Sequence, residues 1–147
     1  ACHLIDVCVF LTGSLVDNVC MNSLGNSPES NTDNASILLS FKNGSNAVIN
    51  YFANGSKSYG KERLEIYSQE RTWVVDNFKV TKAYGVKGFK SIKTKIDKGH
   101  KTQFHEFINR VKNGGEPLIP INEIFNVTKA SFAAIESMKT RKWINVG

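Results

Sequence analysis

The sequence lacks the features that mark several classes of protein. Its 147 residues include only three cysteines and three prolines, and no apolar run approaches the roughly 20 residues that cross a bilayer. Cys2, Cys8 and Cys20 form no close pairs, which argues against a disulfide framework and against a cysteine metal site. No signal peptide is recognisable at the start of the chain. These absences predict a cytoplasmic protein without a membrane partner.

Motifs for cofactors and metals are also missing. There is no Gly-x-Gly-x-x-Gly, so the chain is expected to hold no dinucleotide site of its own. Residues 55–61 have the spacing of a phosphate-binding P-loop, but Glu62 replaces the hydroxyl residue that binds magnesium and a strand pattern follows. A glycine-rich loop is the better interpretation. His105 begins a metalloprotease-like motif, but Asn109 stands where the second histidine should be, so we predict no metal ligands.

Length and composition describe a globular domain with a basic surface. Hydrophobic residues make up 41% of the chain and charged residues 22%, which is typical of a folded protein and not of a disordered one. The formal net charge of +6 favours anionic partners, including a phosphorylated small molecule. The lysines are scattered without a run of five or six, so we predict no nucleic-acid partner.

The chain opens in a helical pattern and continues in a strand pattern. The apolar residues at helical spacing are Leu4, Ile5, Cys8 and Leu11. Gly13 ends this helix, and no capping residue precedes it, which indicates a domain that starts inside a helix. Residues 15–96 change to period two, with short turns at Lys42-Asn43-Gly44-Ser45 and at Gln69-Glu70. Consecutive strands without helices between them predict antiparallel pairing.

Two further helices follow the strands. One buried stripe at i, i+3, i+4 and i+7 is predicted to contain Phe104, Phe107, Ile108 and Val111. Asn122 is expected to cap the next helix. The inward residues of that helix are predicted to be Phe125, Phe132, Ile135 and Met138. A short strand is expected to end the chain. The fold class is therefore α+β, a large and mostly antiparallel open sheet with helices packed on one face, within a single domain spanning residues 1–147.

Two groups of polar residues could carry chemistry. His3 and Asp6 are spaced i, i+3 and share a face of the first helix. The imidazole there either satisfies a structural hydrogen bond or moves protons near neutral pH, with the aspartate orienting it. Lys98, Gly99 and His100 form either a polar loop or a basic cluster that suits an anionic ligand.

The order of these features resembles one enzyme family. The opening Ala1-Cys2-His3-Leu4-Ile5-Asp6 is similar to the His-x-x-Asp segment at the domain junction of the glucose–fructose oxidoreductase/inositol dehydrogenase (Gfo/Idh/MocA) family. The resemblance continues through residues 33–35, 41–45 and 59–66, through Lys98-Gly99-His100, and through the closing helix at 128–138. These stretches look like the subgroup that acts on sugars or nucleotide-linked sugars.

The resemblance implies a function for the whole chain. It would be the C-terminal substrate-binding and oligomerisation domain of an NAD(P)-dependent dehydrogenase, whose N-terminal Rossmann domain holds NAD or NADP. This fragment alone would bind no cofactor and would be inactive. His3 is implied either as the acid or base that handles the proton of a sugar hydroxyl, a task it would share with a lysine of the Rossmann domain, or as a residue that orients the substrate. Asp6 would lie beside it in the pocket. Lys61, Lys98 and His100 are implied substrate contacts, and the sheet face would form a homo-oligomer.

A second function stays open. A non-catalytic assembly or binding module would use the same exposed sheet face and would need His3 only as a structural residue. The two hypotheses differ in what they require upstream in the parent protein. The enzyme requires a strand followed by Gly-x-Gly-x-x-Gly, whereas the module does not.

Overall fold

The computed structural model describes residues 1–25 and 32–147, which form two compact units. The first unit contains residues 1–54 and 116–147, and the second contains residues 55–115. Helices and antiparallel strands build both units, which confirms the α+β class. The strands are hydrogen-bonded as two sheets of four.

Eleven elements make up the described residues. In chain order they are α1 (Cys2–Thr12), β1 (Val16–Ser23), β2 (Asn34–Phe41), β3 (Asn46–Phe52), β4 (Arg63–Ser68), β5 (Arg71–Asp76), β6 (Val80–Tyr84), β7 (Ser91–Lys93), α2 (His100–Asn113), α3 (Ile121–Thr140) and β8 (Ile144–Asn145). The first unit holds α1, β1–β3, α3 and β8, and the second unit holds β4–β7 and α2.

The sheet of the first unit has the order β3-β2-β1-β8, and each neighbouring pair is antiparallel. Helix α3 packs on β1, and α1 packs on α3. The hydrophobic core lies between these helices and one face of the sheet, as predicted. Gly13 ends α1 in the left-handed conformation at φ 60°, also as predicted.

A β-bulge explains why the sequence pattern does not single out β1. The register of β1 against β2 shifts between Val16 and Asn18. The buried residues of the strand are Val16, Val19, Met21 and Ser23. The first two are three positions apart, whereas the others follow at the spacing of two that is normal for a strand. Strand β8 pairs with β1 only at Asn18 and Val19, so Val16 lies beyond the end of that pairing.

Polar side chains of α3 complete the hydrogen bonding of β1. Asn126 accepts a hydrogen bond from the Val16 N–H at 2.8 Å and donates one to the Val16 carbonyl at 2.9 Å. Ser137 accepts one from the Met21 N–H at 3.0 Å and donates to the Lys142 carbonyl. Both side chains are buried. Because backbone groups in the core need partners, these contacts fix the position of α3 along the strand.

The predicted inward face of α3 is wrong at its two aromatic positions. The buried residues of the helix are Asn126, Val127, Ala130, Ala133, Ala134, Ser137 and Met138. Phe125 and Phe132 are exposed instead, while Met138 is buried as predicted and Ile135 is partly buried against the core. Small side chains allow the helix to approach β1 closely, so size decides which face is inward. Asn122 lies within the first turn and does not cap the helix.

The second unit contains an antiparallel meander with the order β4-β5-β6-β7. Gln69 and Glu70 have positive φ values of 51° and 61° in the tight turn between β4 and β5, where a turn is predicted. A similar pair of positive φ values joins β5 to β6. On one face of the sheet, the ring of Trp73 lies 5.4 Å from that of Phe89.

Helix α2 forms where it is predicted, but the burial of its apolar stripe is wrong. Phe104, Phe107, Ile108 and Val111 are between 44 and 69% exposed. Within residues 55–115, α2 does not pack on the strands as closely as α3 packs on β1. Helical periodicity shows that a helix is amphipathic, and it does not show whether another element of the chain covers the apolar face.

Candidate active-site helix

Helix α1 has one face in the core and the opposite face in solvent. Ile5 and Val9 are buried and hold the helix against the core. His3, Asp6 and Phe10 follow each other at i, i+3 and i+7 on the opposite side, and we call these three residues the His3 face. His3 is exposed and Asp6 is partly buried. The structure therefore brings the predicted pair together on an accessible surface, and the imidazole is not enclosed by apolar packing.

Phe10 is the member of this face that is not predicted from the sequence. At 82% exposure it is the most exposed large hydrophobic residue in the described part of the chain. An aromatic residue at i+7 from His3, outside the apolar stripe of the helix, is the signal that could have identified it. Exposed aromatic residues are enriched where a protein meets a partner surface.

Cys8 on the same helix is poorly suited to nucleophilic chemistry. Burial raises the pKa of the Cys8 thiol above its ordinary value. The thiol therefore stays protonated near neutral pH, and the thiolate is the reactive form. Cys2 is exposed and Cys20 is partly buried, and all three cysteines are free.

The other predicted site residues lie in the second unit. Lys98 and His100 flank Gly99, which caps the start of α2 at φ 73° and donates its N–H to the Asp97 carboxylate at 2.8 Å. Lys61 lies elsewhere, in the loop that leads into β4. All three predicted side chains are exposed. A strand and not a helix follows the loop at residues 55–62, which confirms that it is not a P-loop.

Three residues of β4 form a hydrogen-bonded trio that is not predicted from the sequence. The Arg63 guanidinium donates to one oxygen of the Glu65 carboxylate, with Nε at 3.0 Å, and the Tyr67 hydroxyl donates to the other oxygen at 2.6 Å. The hydrogen bonds from Tyr67 and Arg63 lower the pKa of Glu65. The bond to Glu65 raises the pKa of Tyr67. Alternate residues of one strand share a face, so the i, i+2, i+4 spacing was the available signal.

Two classes of feature are not found in the described residues. No helix within 1–25 and 32–147 is long and apolar enough to cross a membrane. In the same ranges, no three side chains of His, Cys, Asp and Glu are grouped to hold a metal ion. His105 is exposed on α2, with Nδ1 3.3 Å from the side-chain nitrogen of Asn109.

Several solved structures that share this fold are described as oxidoreductases. Levoglucosan dehydrogenase in complex with NADH matches with a TM-score of 0.82 and 18% identity, covering 100% of this chain and 48% of that one. An oxidoreductase from Agrobacterium radiobacter, solved with NAD+, L-tartaric acid and magnesium, matches at 0.78 and 17%, covering 99% and 47%. An NAD binding oxidoreductase from Klebsiella pneumoniae matches at 0.75 and 19%, covering 99% and 49%. The chain thus spans about half the length of these structures, and at such identities the likeness shows the fold.

The sequence itself identifies the family. No curated protein matches the chain. The family model for the GFO/IDH/MocA C-terminal domain matches residues 1–74, which include α1, β1–β4 and the first part of β5. This match covers half of the chain, and the fold of the full chain agrees with it. The chain belongs to the GFO/IDH/MocA C-terminal domain family.

Proposed function

We propose that the chain is the substrate-binding half of an NAD(P)-dependent dehydrogenase that acts on a hydroxyl of a sugar or of a nucleotide-linked sugar. The observation that carries the proposal is the exposed His3 face on a helix of this family's C-terminal domain. NAD or NADP, held by the N-terminal Rossmann domain of the parent protein, supplies or accepts the hydride. The residues of this chain bind the sugar and handle the proton.

His3 performs the proton transfer in this proposal. A hydroxyl must lose its proton when a hydride leaves the same carbon, so a positioned base is required. A neutral imidazole accepts that proton near neutral pH, and the carboxylate of Asp6 stabilises the imidazolium that results. Burial of Ile5 and Val9 keeps the helix in place, which limits the freedom of the imidazole. Phe10 contacts the Rossmann domain and excludes water from the reacting groups.

Lys61, Lys98 and His100 are proposed to contact an anionic group of the substrate. The two lysines are exposed cations, and a phosphate or carboxylate is the ligand that suits them. Lys98 and His100 share the start of α2, so they are the pair most suited to act on one group.

Replacement of His3 tests the proposed reaction in the parent protein that carries both domains. His3→Gln is expected to lower kcat by roughly 10²–10⁴-fold and to remove one limb of the pH profile, because the amide cannot take up a proton. His105→Gln removes another exposed histidine and is the matched control. Turnover of His3→Gln within about twofold of the wild type would show that the imidazole is structural.

The isolated chain is proposed to be inactive. Incubation of the 147 residues with NAD or NADP and candidate sugars is expected to give no change in nicotinamide absorbance. Measurable turnover would contradict the assignment of the cofactor site to the Rossmann domain. The three free cysteines are compatible with the reducing cytoplasm, which is where we place the protein.

One further observation supports an assembly role for the first unit. On the side of its sheet opposite the core, we call nine residues the open face, and all nine are uncharged: Asn18, Cys20, Asn22, Ser36, Leu38, Ser40, Asn46, Val48 and Asn50. Asp17 lies at the edge of this face and accepts a hydrogen bond from Asn18 at 2.7 Å. Leu38 and Val48 are directly opposed and exposed at its centre. Depletion of charge around an apolar centre is typical of the core of an interface. We propose that two copies pair through this face.

The oligomeric state tests this second proposal. Val48→Arg is expected to convert the dimer to monomer in sedimentation, because two buried guanidinium groups would meet without partners. Asn122→Arg adds the same charge on α3, outside the open face, and is expected to leave the dimer intact. Wild-type chain that sediments as a monomer at all practical concentrations would refute the pairing.

A further inference from the structure

The net positive charge of the chain comes from one unit. Residues 55–115 contain fourteen lysines and arginines against six acidic residues, a formal charge of +8, so the rest of the chain carries −2 of the total of +6. Eleven of the fifteen lysines of the sequence lie in the smaller unit. Six of them fall within residues 87–101. A concentration of one sign of charge in 61 residues raises the local concentration of anions.

The pairing of β4, β5, β6 and β7 arranges part of this charge beside aromatic side chains. Tyr67, Thr72 and Tyr84 form one cross-strand row, and Lys82 and Lys93 belong to the next two rows on the same face. We call these five residues the tyrosine–lysine face. Tyr67 is 72% exposed and Tyr84 is 57% exposed. One strand separates the two tyrosines, which places their backbones roughly 10 Å apart.

The lysines of this face are available to a ligand. Lys82 and Lys93 are exposed, and in the described residues no carboxylate lies within salt-bridge distance of either. Lys82 opposes Ser91, two residues before Lys93, so the two ammonium groups are diagonal neighbours across the β6–β7 pair. Lys82 also lies two residues from Tyr84 on β6, roughly 7 Å along the strand. A cationic pair therefore stands beside an aromatic row.

The aromatic row is partly ordered before any ligand binds. The Tyr67 hydroxyl is bonded to Glu65, and Glu65 is bonded to Arg63. Because these bonds fix the hydroxyl end of Tyr67, the ring is held in place, and its side chain loses little conformational entropy when a ligand binds. Thr72 and Val74 form the floor beside the tyrosines. Flat rings stack on such aromatic surfaces, and phosphates pair with nearby lysines.

We propose that the tyrosine–lysine face binds a nucleoside diphosphate, with the base on Tyr67 and Tyr84 and the phosphates on Lys82 and Lys93. A simple phosphate would pair with the lysines but would make no contact with the aromatic row. A neutral sugar would have no negative charge to pair with the two lysines. The proposal does not depend on His3 or on hydride transfer, because it concerns binding by the second unit alone.

Calorimetry on the 147-residue chain tests the proposal, with uridine diphosphate as the probe. Uridine and inorganic pyrophosphate are each expected to bind at least tenfold more weakly, because each lacks half of the contacts. Tyr84→Ala is expected to weaken binding roughly tenfold, as expected for loss of one stacking surface. Tyr59→Ala is the matched control and is expected to leave binding unchanged. The Tyr59 side chain is as exposed as that of Tyr67, at 72%, but it lies in the loop before β4 and not on the tyrosine–lysine face.

The lysines need a separate test. Lys82→Gln combined with Lys93→Gln is expected to abolish the salt dependence of binding and to leave uridine binding unchanged, whereas Lys57→Gln is expected to change neither. Circular dichroism identifies any variant that fails to fold, and the exposed positions make that outcome unexpected. Uridine diphosphate binding that survives both the Tyr84 and the double lysine substitutions would overturn the proposal. A single-stranded oligonucleotide that binds more than about a hundredfold tighter than uridine diphosphate would replace it with a nucleic-acid surface.

Discussion

Replacement of Asn126 by leucine tests how α3 is attached to the sheet. The side chain is 4% exposed and holds both the N–H and the carbonyl of Val16, at 2.8 and 2.9 Å. Leucine has the same branching and the same number of side-chain heavy atoms but larger methyl groups, so the substitution removes two hydrogen bonds and opens no cavity. A buried backbone group left without a partner costs about 1–3 kcal/mol. Two such groups predict a loss of about 2–6 kcal/mol in the free energy of unfolding of the first unit.

Two measurements check this loss. Urea denaturation followed by circular dichroism gives the change in stability, and hydrogen exchange at the Val16 amide reports the contact directly. The matched control is Asn122→Leu, which changes an exposed asparagine one turn earlier in α3 and is expected to alter stability by less than about 0.5 kcal/mol. If Asn126→Leu is as stable as this control and the Val16 amide remains protected, the bulged end of β1 must obtain its hydrogen bonds elsewhere.

Two other predictions concern the second unit. Gly85→Ala is expected to destabilise it by roughly 2–4 kcal/mol in urea denaturation, because a Cβ there would lie 2.6 Å from the Glu70 carbonyl oxygen at φ +72°. Gly88→Ala has a similar φ of +82° and open space, so a loss as large as that at Gly85 would contradict the clash. The lowered pKa of Glu65 means that its interactions are intact at neutral pH and are lost as the pH falls through the folded pKa. Tyr67→Phe removes the largest cause, so the Glu65 titration followed by NMR is expected to move to higher pH, and an unchanged curve would assign the shift to Arg63 alone.

Local signals in the sequence predict the elements but not all of their packing. Gly13 and the Lys42–Ser45 turn act within a few residues, and the structure confirms both. The inward face of α3 depends on how closely the helix can approach β1. Phe125 and Phe132 fit the helical period as well as Ala130 does, yet only the alanine is small enough for that contact. Periodicity carries no information about this distance, and so the prediction fails there.

One candidate site could be predicted from local spacing in the sequence, and the other depends on how the strands pair. His3 and Asp6 share a face because three residues separate them on one helix, so their sequence spacing is sufficient to pair them. Tyr67 and Tyr84 are 17 residues apart in the sequence and meet on one row only because β5 pairs with both of their strands. A single register shift would move either tyrosine to the opposite face. The tyrosine–lysine face was therefore not recoverable from composition or motif spacing.

The tyrosine–lysine face and the open face are expected to respond differently to salt, because the first uses charged residues and the second does not. Raising the ionic strength from about 0.01 to 1 M shortens the Debye length from roughly 30 to 3 Å. Binding of uridine diphosphate to Lys82 and Lys93 is therefore expected to weaken steeply. Pairing through the nine uncharged residues of the open face is expected to persist, because the apolar contacts that Leu38 and Val48 would make with the second copy are not screened. Dimers that dissociate with the same salt dependence as the nucleotide would mean that charged residues of the second unit, and not the open face, hold the copies together.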